Sequence, residues 1–242
     1  TDKTGGKINK YFDLNGWKSK YKKDISSTKS QSTLSSYKIN SLASSNKITN
    51  GNFNSDISGV HGFKCKVTWQ KSSSSNGGNL QVTSLPEAMS SYITIPAGEI
   101  ISGKNYILKF SIKGSDDSDK TVGILLRQNG APYANLATTV YKTISNKEQH
   151  YEIAFSATQD ESNALLVFTL NDSSTYWLNN LQLYEANATI TNPEDQCLFE
   201  YKHGRSAKTI ALNGTYVDTQ NNLYSKNITL QPYTSKILVK QN

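Results

Sequence analysis

Three histidines, His61, His150 and His203, stand far apart, each in a polar or strand-like setting. Histidine-driven acid–base or nucleophilic chemistry needs a partner group, and no GxSxG, HExxH, glycine-rich phosphate loop or Cys–His pairing supplies a recognisable one. Glycoside hydrolysis needs only two facing carboxylates, which spacing does not exclude. The acidic clusters available, "SDDSDK" at 115–120 and "QDES" at 159–162, read as solvated charges in turns. Cys65 and Cys197 lie 132 positions apart without a CxxC or a His neighbour. They read as two buried free thiols, with a disulfide between them as the alternative, and metal or redox chemistry has little support. Four sequons, at Asn171, Asn187, Asn213 and Asn227, are glycan acceptors only in a eukaryotic source. No catalytic machinery is visible, so the chain reads as non-catalytic.

The elements that would position any site follow from composition and patterning. At 242 residues there is room for one large or two small domains. With 14 Tyr and 3 Trp the chain can build a core, and its wealth of Ser, Thr, Asn and Tyr suits exposed β-structure. No apolar run approaches the roughly 18 to 20 residues that span a bilayer. The chain starts at Thr1 with no signal peptide and reads as a mature or excised piece. The net charge of +7 is unevenly spread: residues 1–47 carry +7, residues 48–185 carry −2 and residues 186–242 carry +2. The basic segment has no Arg, which argues against nucleic acid. It reads as a solvated Lys-rich surface, with attraction to an anionic polysaccharide as the alternative.

From residue 63, "FKCKVTWQ" alternates Phe63, Cys65, Val67 and Trp69 on one face with polar residues on the other, the period of a half-buried strand. "KSSSSNGG" follows as a turn. "SYITIPAG" reads as a strand entering a Pro-Gly turn, and "NYILKFSIKG" puts Tyr106, Leu108, Phe110 and Ile112 on one face. "TVGILLRQNG" ends at an Asn-Gly turn, and "EQHYEIAFSA", "NALLVFTLN" and "TYWLNNLQLYE" complete an all-β sandwich of about 140 residues. After the joint "ITNPEDQ", five further short strands are expected over 187–242: "CLFEYKH", "AKTIALNG", "TYVDTQ", "KNITLQPYT" and "SKILVKQ". Strands this few leave open edges, so they are expected to pair with part of residues 1–45 or with a preceding domain. Near the N-terminus, Phe12, Leu14, Trp17 and Tyr21 fit a short helix capped by Asp13 or Asn15, with a linker at 26–36.

The change of character at "ITNGNFNSDISG" thus reads as a domain boundary, giving a basic segment at 1–47, a sandwich at 48–186 and a small β-domain at 187–242. The middle block carries "NGNF" at 50–53, "GF" at 62–63, "GKNYILKF" at 103–110, "YEIAFSAT" at 151–158 and "WLNNLQL" at 177–183. In order and spacing it resembles carbohydrate-binding modules of the family 4 and 9 type, jelly-roll sandwiches appended to polysaccharide-degrading enzymes. The flanks resemble the small C-terminal β-sandwich of secreted glycoside hydrolases and β-helix polysaccharide lyases, with "YFDLNGWKSKYKKD" similar to a helix near the end of their catalytic fold. The resemblance implies a non-catalytic tail, secreted or at the cell surface. Its partners would be a polysaccharide or oligosaccharide and an upstream catalytic domain of the same chain. A structural or adhesion module without sugar binding is the alternative.

The resemblance also implies site residues. A pyranose presents an apolar C–H face and a rim of hydroxyls, so it calls for aromatic platforms with planar hydrogen-bonding groups beside them. "LLRQNGAPY" and "TTVY" supply Arg127, Gln128, Tyr133 and Tyr141, with Tyr92 and Trp69 as further candidates. Trp69 and Trp177 alternate in phase with apolar neighbours, which equally fits packing. The family's structural calcium sits where first and last strands meet, which points to Asn52 and Asn179 here. Phe63 and Asn179 depart from the family's Trp and Asp, and neutral amides make weak ligands for an ion that prefers carboxylates.

Overall fold

A computed structural model of the chain describes residues 14–27, 37–71, 77–86, 90–116, 120–170 and 174–241. The expected roles of Phe12 and Asp13, the middle of the "KSSSSNGG" turn, part of "SDDSDK" and the Asn171 sequon lie outside these residues. The chain is all-β, 57% strand against 5% helix. It divides into two compact units, one spanning Ile39–Asn187 and the other comprising Leu14–Lys38 with Ala188–Asn242.

The larger unit contains β1 (Tyr37–Leu42), β2 (His61–Phe63), β3 (Cys65–Lys71), β4 (Gly78–Ser84), β5 (Ser91–Ile100) and β6 (Asn105–Gly114). It continues with β7 (Lys120–Arg127), β8 (Val140–Ile144), β9 (Gln149–Ser156), β10 (Glu161–Leu170) and β11 (Thr175–Ile190). Two antiparallel sheets result. One runs β3-β4-β11-β6-β9 with β1 also on β11; the other runs β2-β5-β10-β7-β8. From β4 onward the chain mostly alternates between sheets, as jelly-roll connections require.

Alternation along each strand fills the space between the sheets. Tyr106, Leu108, Phe110 and Ile112 of β6 are buried together with Ile124 and Leu126 of β7 and Leu166 and Phe168 of β10. Phe110 and Phe168, from opposite sheets, meet edge to face with centroids 5.3 Å apart. Such a pair adds about 0.5–1.5 kcal/mol beyond the area it buries.

Two expected strands are built differently. "FKCKVTWQ" is broken at Lys64, whose φ of +53° ends β2 and starts β3. Phe63 therefore belongs to the five-stranded sheet and Cys65 to the other, so the alternating run does not share one face. "SYITIPAG" does not turn at Pro96 but continues to Ile100, with Pro96 opposite Leu165. β2 pairs only with Tyr92–Thr94, so the missing N–H of Pro96 falls beyond the end of its neighbour and breaks no ladder bond there.

First and last segments of this unit meet along β11. Ala43 and Lys47 donate backbone bonds to Glu185 and Leu183, each at 2.7 Å. Gly51 accepts from the Leu181 N–H at 3.0 Å, and a Cβ on Gly51 would lie 1.9 Å from the Leu181 carbonyl oxygen. Only glycine permits that approach, which gives the Asn-Gly of "NGNF" its physical reason.

The smaller unit contains β12 (Cys197–Tyr201), β13 (Lys208–Ala211), β14 (Tyr216–Asp218), β15 (Leu223–Tyr224), β16 (Asn227–Leu230) and β17 (Ser235–Lys240). Its sheets are β12-β17-β14-β15 and β13-β16, closed over Tyr216, Ile228, Leu230 and Leu238. The joint becomes a 3₁₀ turn, Pro193–Gln196, capped by the Asn192 side chain, which accepts the Glu194 N–H at 3.1 Å. The helix α1 covers Leu14–Tyr21, so Asn15 falls inside its first turn instead of capping it. Both cysteines are free, but Cys65 is half-buried and Cys197 is exposed on an edge strand, which corrects the expectation of two buried thiols. No helix among the described residues is long and apolar enough to cross a membrane.

Candidate functional site

The outward face of the five-stranded sheet is apolar where water would be expected. Leu125, Leu165 and Val167 point away from the core yet are buried, with Tyr92 packed against them. Register explains how they come together: Val167 pairs with Leu125 on one side and Thr94 on the other, and Leu165 pairs with Arg127. Long side chains from the strands to either side can therefore lie over this floor.

Those side chains form a series. The Arg127 guanidinium stands 5.2 Å from the Tyr92 ring centroid and 5.3 Å from that of Tyr133. Phe63 stacks on the far side of the series against Tyr92, centroids 4.8 Å apart and planes within 20°. Phe63 is 46% and Tyr133 55% exposed, so both ends of the row face solvent. Cation–π contacts of this kind contribute about 0.5–2 kcal/mol each and hold the guanidinium in place.

The β7 hairpin sets Tyr133. Gln128 N–H donates to the Ala134 carbonyl at 3.0 Å, the Ala134 N–H donates to the Gln128 Oε1 at 3.3 Å, and the Tyr133 N–H reaches Gly130 at 2.7 Å. Tyr133 itself has a φ of +59°. Gln128 thus shapes the loop with the same amide oxygen that a ligand would otherwise engage. Tyr141, on β8, is 62% exposed and lies over Gly123, where an added Cβ would come within 3.1 Å of its ring. It shares the face without joining the stacked row.

Trp69 belongs elsewhere. It lies on β3 of the other sheet, its indole N–H donates to the Phe53 carbonyl at 2.7 Å, and it covers Gly78 so closely that a Cβ there would sit 2.2 Å from Nε1. That is the packing alternative for this tryptophan. Trp177 similarly spends its N–H on Gln70 Oε1 at 3.0 Å.

Sequence reasoning missed two parts of the row. Phe63 stood out only as an apolar strand position and a departure from a tryptophan, and the floor residues were hidden in "TVGILLRQNG" and "NALLVFTLN", continuous apolar runs in which both faces of a strand are covered. That continuity was the available signal.

A Ser–His contact also occurs. Ser111 Oγ and His150 Nδ1 are 2.9 Å apart, and Asn180 Nδ2 donates to Ser111 Oγ at 3.1 Å. Among the described residues no carboxylate contacts the imidazole, and Ser111 is buried. The pair is a cross-strand hydrogen bond between β6 and β9 and lacks the orienting group of a triad.

The asparagines implied as calcium ligands do not fit that ion. Asn179 is buried with its Oδ1 accepting the Asn180 N–H at 2.6 Å, and Asn52 is exposed. The closest acid in sequence, Asp56, has its Oδ1 on Asn50 Nδ2 and the Ser58 N–H, and these bonds, the Ser58 backbone one foremost, hold its pKa below the ordinary value. Among the described residues no group of three or more His, Cys, Asp or Glu could hold a metal. Both amides are neutral and that of Asn179 is already engaged, whereas calcium takes 6 to 8 oxygens with carboxylates among them.

Comparison with known families matches residues 45–175 to the model of a carbohydrate binding domain. Among solved structures the chain is similar to an arabinose-bound α-L-arabinofuranosidase, MgGH51, at 14% identity with a TM-score of 0.51, over 60% of this chain and 27% of that one. It is also similar to the N-terminal cellulose-binding domain of Cellulomonas fimi β-1,4-glucanase C (16% identity, 66% and 98% covered, TM-score 0.41). A xylan-binding domain of Paenibacillus barcinonensis Xyn10C follows at 14% identity, 63% and 99% covered, TM-score 0.47. At 14% identity the likeness to the arabinofuranosidase is one of fold alone. No curated protein sequence matches the chain.

Proposed function

This chain belongs to the family of carbohydrate-binding domains, and from that premise we propose that it binds a polysaccharide or oligosaccharide on the outward face of its five-stranded sheet. The observation that carries this reading is the row Phe63, Tyr92, Arg127 and Tyr133 laid over a dry apolar floor. Stacked rings offer a sugar's C–H face what it needs, and the guanidinium offers donors to its oxygens. Tyr141 borders the same face, and Gln128 acts by fixing the loop that carries Tyr133.

The role is binding without turnover. In a longer secreted or surface-displayed protein, the module would hold a catalytic domain on its polysaccharide, with residues 187–242 as a second, small β-domain. The resemblance of the flanking segments supports this arrangement.

A glycan array and affinity gels with the intact chain test the reading. Retention on at least one glycan is expected, with Tyr133→Ala and Tyr92→Ala weakening it tenfold or more while the fold persists. Retention on none, or retention indifferent to both variants, would sink it.

A further inference from the structure

We propose that the ligand of this face is an anionic polysaccharide, whose charged group is taken by Arg127. This rests on the reading of the face as sugar-binding and adds the chemical class of the sugar.

Arg127 is the only arginine between residues 48 and 185. Its guanidinium lies between two tyrosine rings, and its Nε is buried without a hydrogen-bond partner. Among the described residues no carboxylate forms an ion pair with it; every ion pair found there uses a lysine. The outward positions around it, Tyr92, Thr94, Leu125, Leu165 and Val167, supply no acid. Farther along the row, Lys64 lies 5.4 Å from the Phe63 ring and adds positive charge at that end.

A half-buried cation without a counter-ion is unusual, because desolvation penalises the charge and no neighbouring anion offsets it. Tyrosine faces hold the guanidinium but leave its in-plane donors unanswered. A carboxylate answers two of them at once through a planar fork, and a sulfate ester presents the same kind of anionic oxygens. A neutral hydroxyl offers one weaker acceptor. The arrangement therefore discriminates by charge where flat aromatic stacking alone would not.

Binding of the intact chain to polygalacturonate and to its carboxyl-reduced, neutral counterpart would be compared by titration calorimetry. A sulfated galactan and its desulfated form make a parallel pair. At least one acidic polymer is expected to bind tenfold or more tightly than its neutral partner, and the pair that shows the preference distinguishes carboxylate from sulfate. Raising salt should erode the preference. Arg127→Gln should abolish it, Arg127→Lys should retain part of it with the fold's bulk preserved, and Lys113→Gln, on the other sheet, should leave it intact. Equal binding of acidic and neutral polymers by the wild type would overturn the proposal while leaving sugar binding in place, and so would a preference that survives in Arg127→Gln. Binding of no polymer in either form would overturn the proposal, and sugar binding itself falls only if the glycan array shows no retention as well.

Discussion

The Asn46 side-chain oxygen accepts the backbone N–H of Leu183 at 2.9 Å, joining residues 137 positions apart in the sequence. The same oxygen accepts the Ile48 N–H at 3.0 Å, and Nδ2 reaches the Leu181 carbonyl at 3.5 Å. One carboxamide thus stitches the entering segment to the last strand of the sandwich. Replacing it by alanine leaves two amides without partners, each worth roughly 1–3 kcal/mol when buried. Asn46→Ala should therefore lower the unfolding free energy by about 2–4 kcal/mol, and Asn46→Asp, which keeps the acceptor oxygen, by less. Urea unfolding of the two variants against the wild type measures this.

Metal removal should matter little at the same seam. Asn46 bridges there by itself, and the neutral amides of Asn52 and Asn179 are a poor set for calcium. Exhaustive chelation is expected to leave the Tm unchanged, and added millimolar calcium should not raise it. A calcium-dependent rise in Tm would show that ligands other than these assemble a site.

How much of this was legible in the sequence depended on where the information lay. The β6 face of Tyr106, Leu108, Phe110 and Ile112 was readable because alternation is local and the burial simply follows it. Arg127, Tyr133 and Tyr92 could be named, but their convergence depends on β10 lying between β5 and β7, a pairing of residues some forty to eighty positions apart. Lys64 was opaque for another reason. An unbroken alternation through residue 64 gives no sign of a left-handed backbone that sends Phe63 and Cys65 to different sheets. Trp69 was ambiguous until Gly78 and the Phe53 carbonyl were seen beneath and beside its indole. Asn46, silent in the sequence, is defined wholly by what the distant strand brings to it.

The two thiols should differ in reactivity. Cys65 is half-buried, its S–H pointing at the Tyr92 carbonyl at 3.4 Å, and burial pushes its pKa above the ordinary thiol value. Cys197 is exposed on an edge strand. Thiolate is the reactive form, so alkylation of the native protein should modify Cys197 first, with Cys65 following only in denaturant. Mass spectrometry after timed iodoacetamide treatment distinguishes them. Equal rates for both in the native state would mean that the β3 edge opens freely.

Acid should weaken the smaller unit through Asp218. Only 5% exposed, this carboxylate accepts the Gln220 and Asn222 N–H groups at 2.9 Å each, the Tyr224 hydroxyl at 2.8 Å and the Lys236 ammonium at 3.2 Å. Burial alone would raise its pKa, but the bonds from Asn222, Tyr224 and Gln220 outweigh that and bring it well below the ordinary carboxylate range. A group with a depressed native pKa contributes stability that is fully present above its unfolded pKa, about 3.9 for Asp, and that fades as pH falls toward the native value. Lys236, raised above its usual pKa chiefly by the Tyr224 hydroxyl, stays protonated throughout this window and adds no pH dependence to it. Asp218→Asn turns one acceptor into a donor facing Tyr224 and Lys236, which should cost about 2–4 kcal/mol at neutral pH. The gap between wild type and variant should be constant from pH 7 to about 5 and narrow below about pH 4, where the Asp218 carboxyl protonates in the unfolded chain while it stays charged in the native one. Unfolding midpoints of both proteins across that range decide the matter: a gap that widens on acidification would mean that the charged form of Asp218 is not what the native fold prefers.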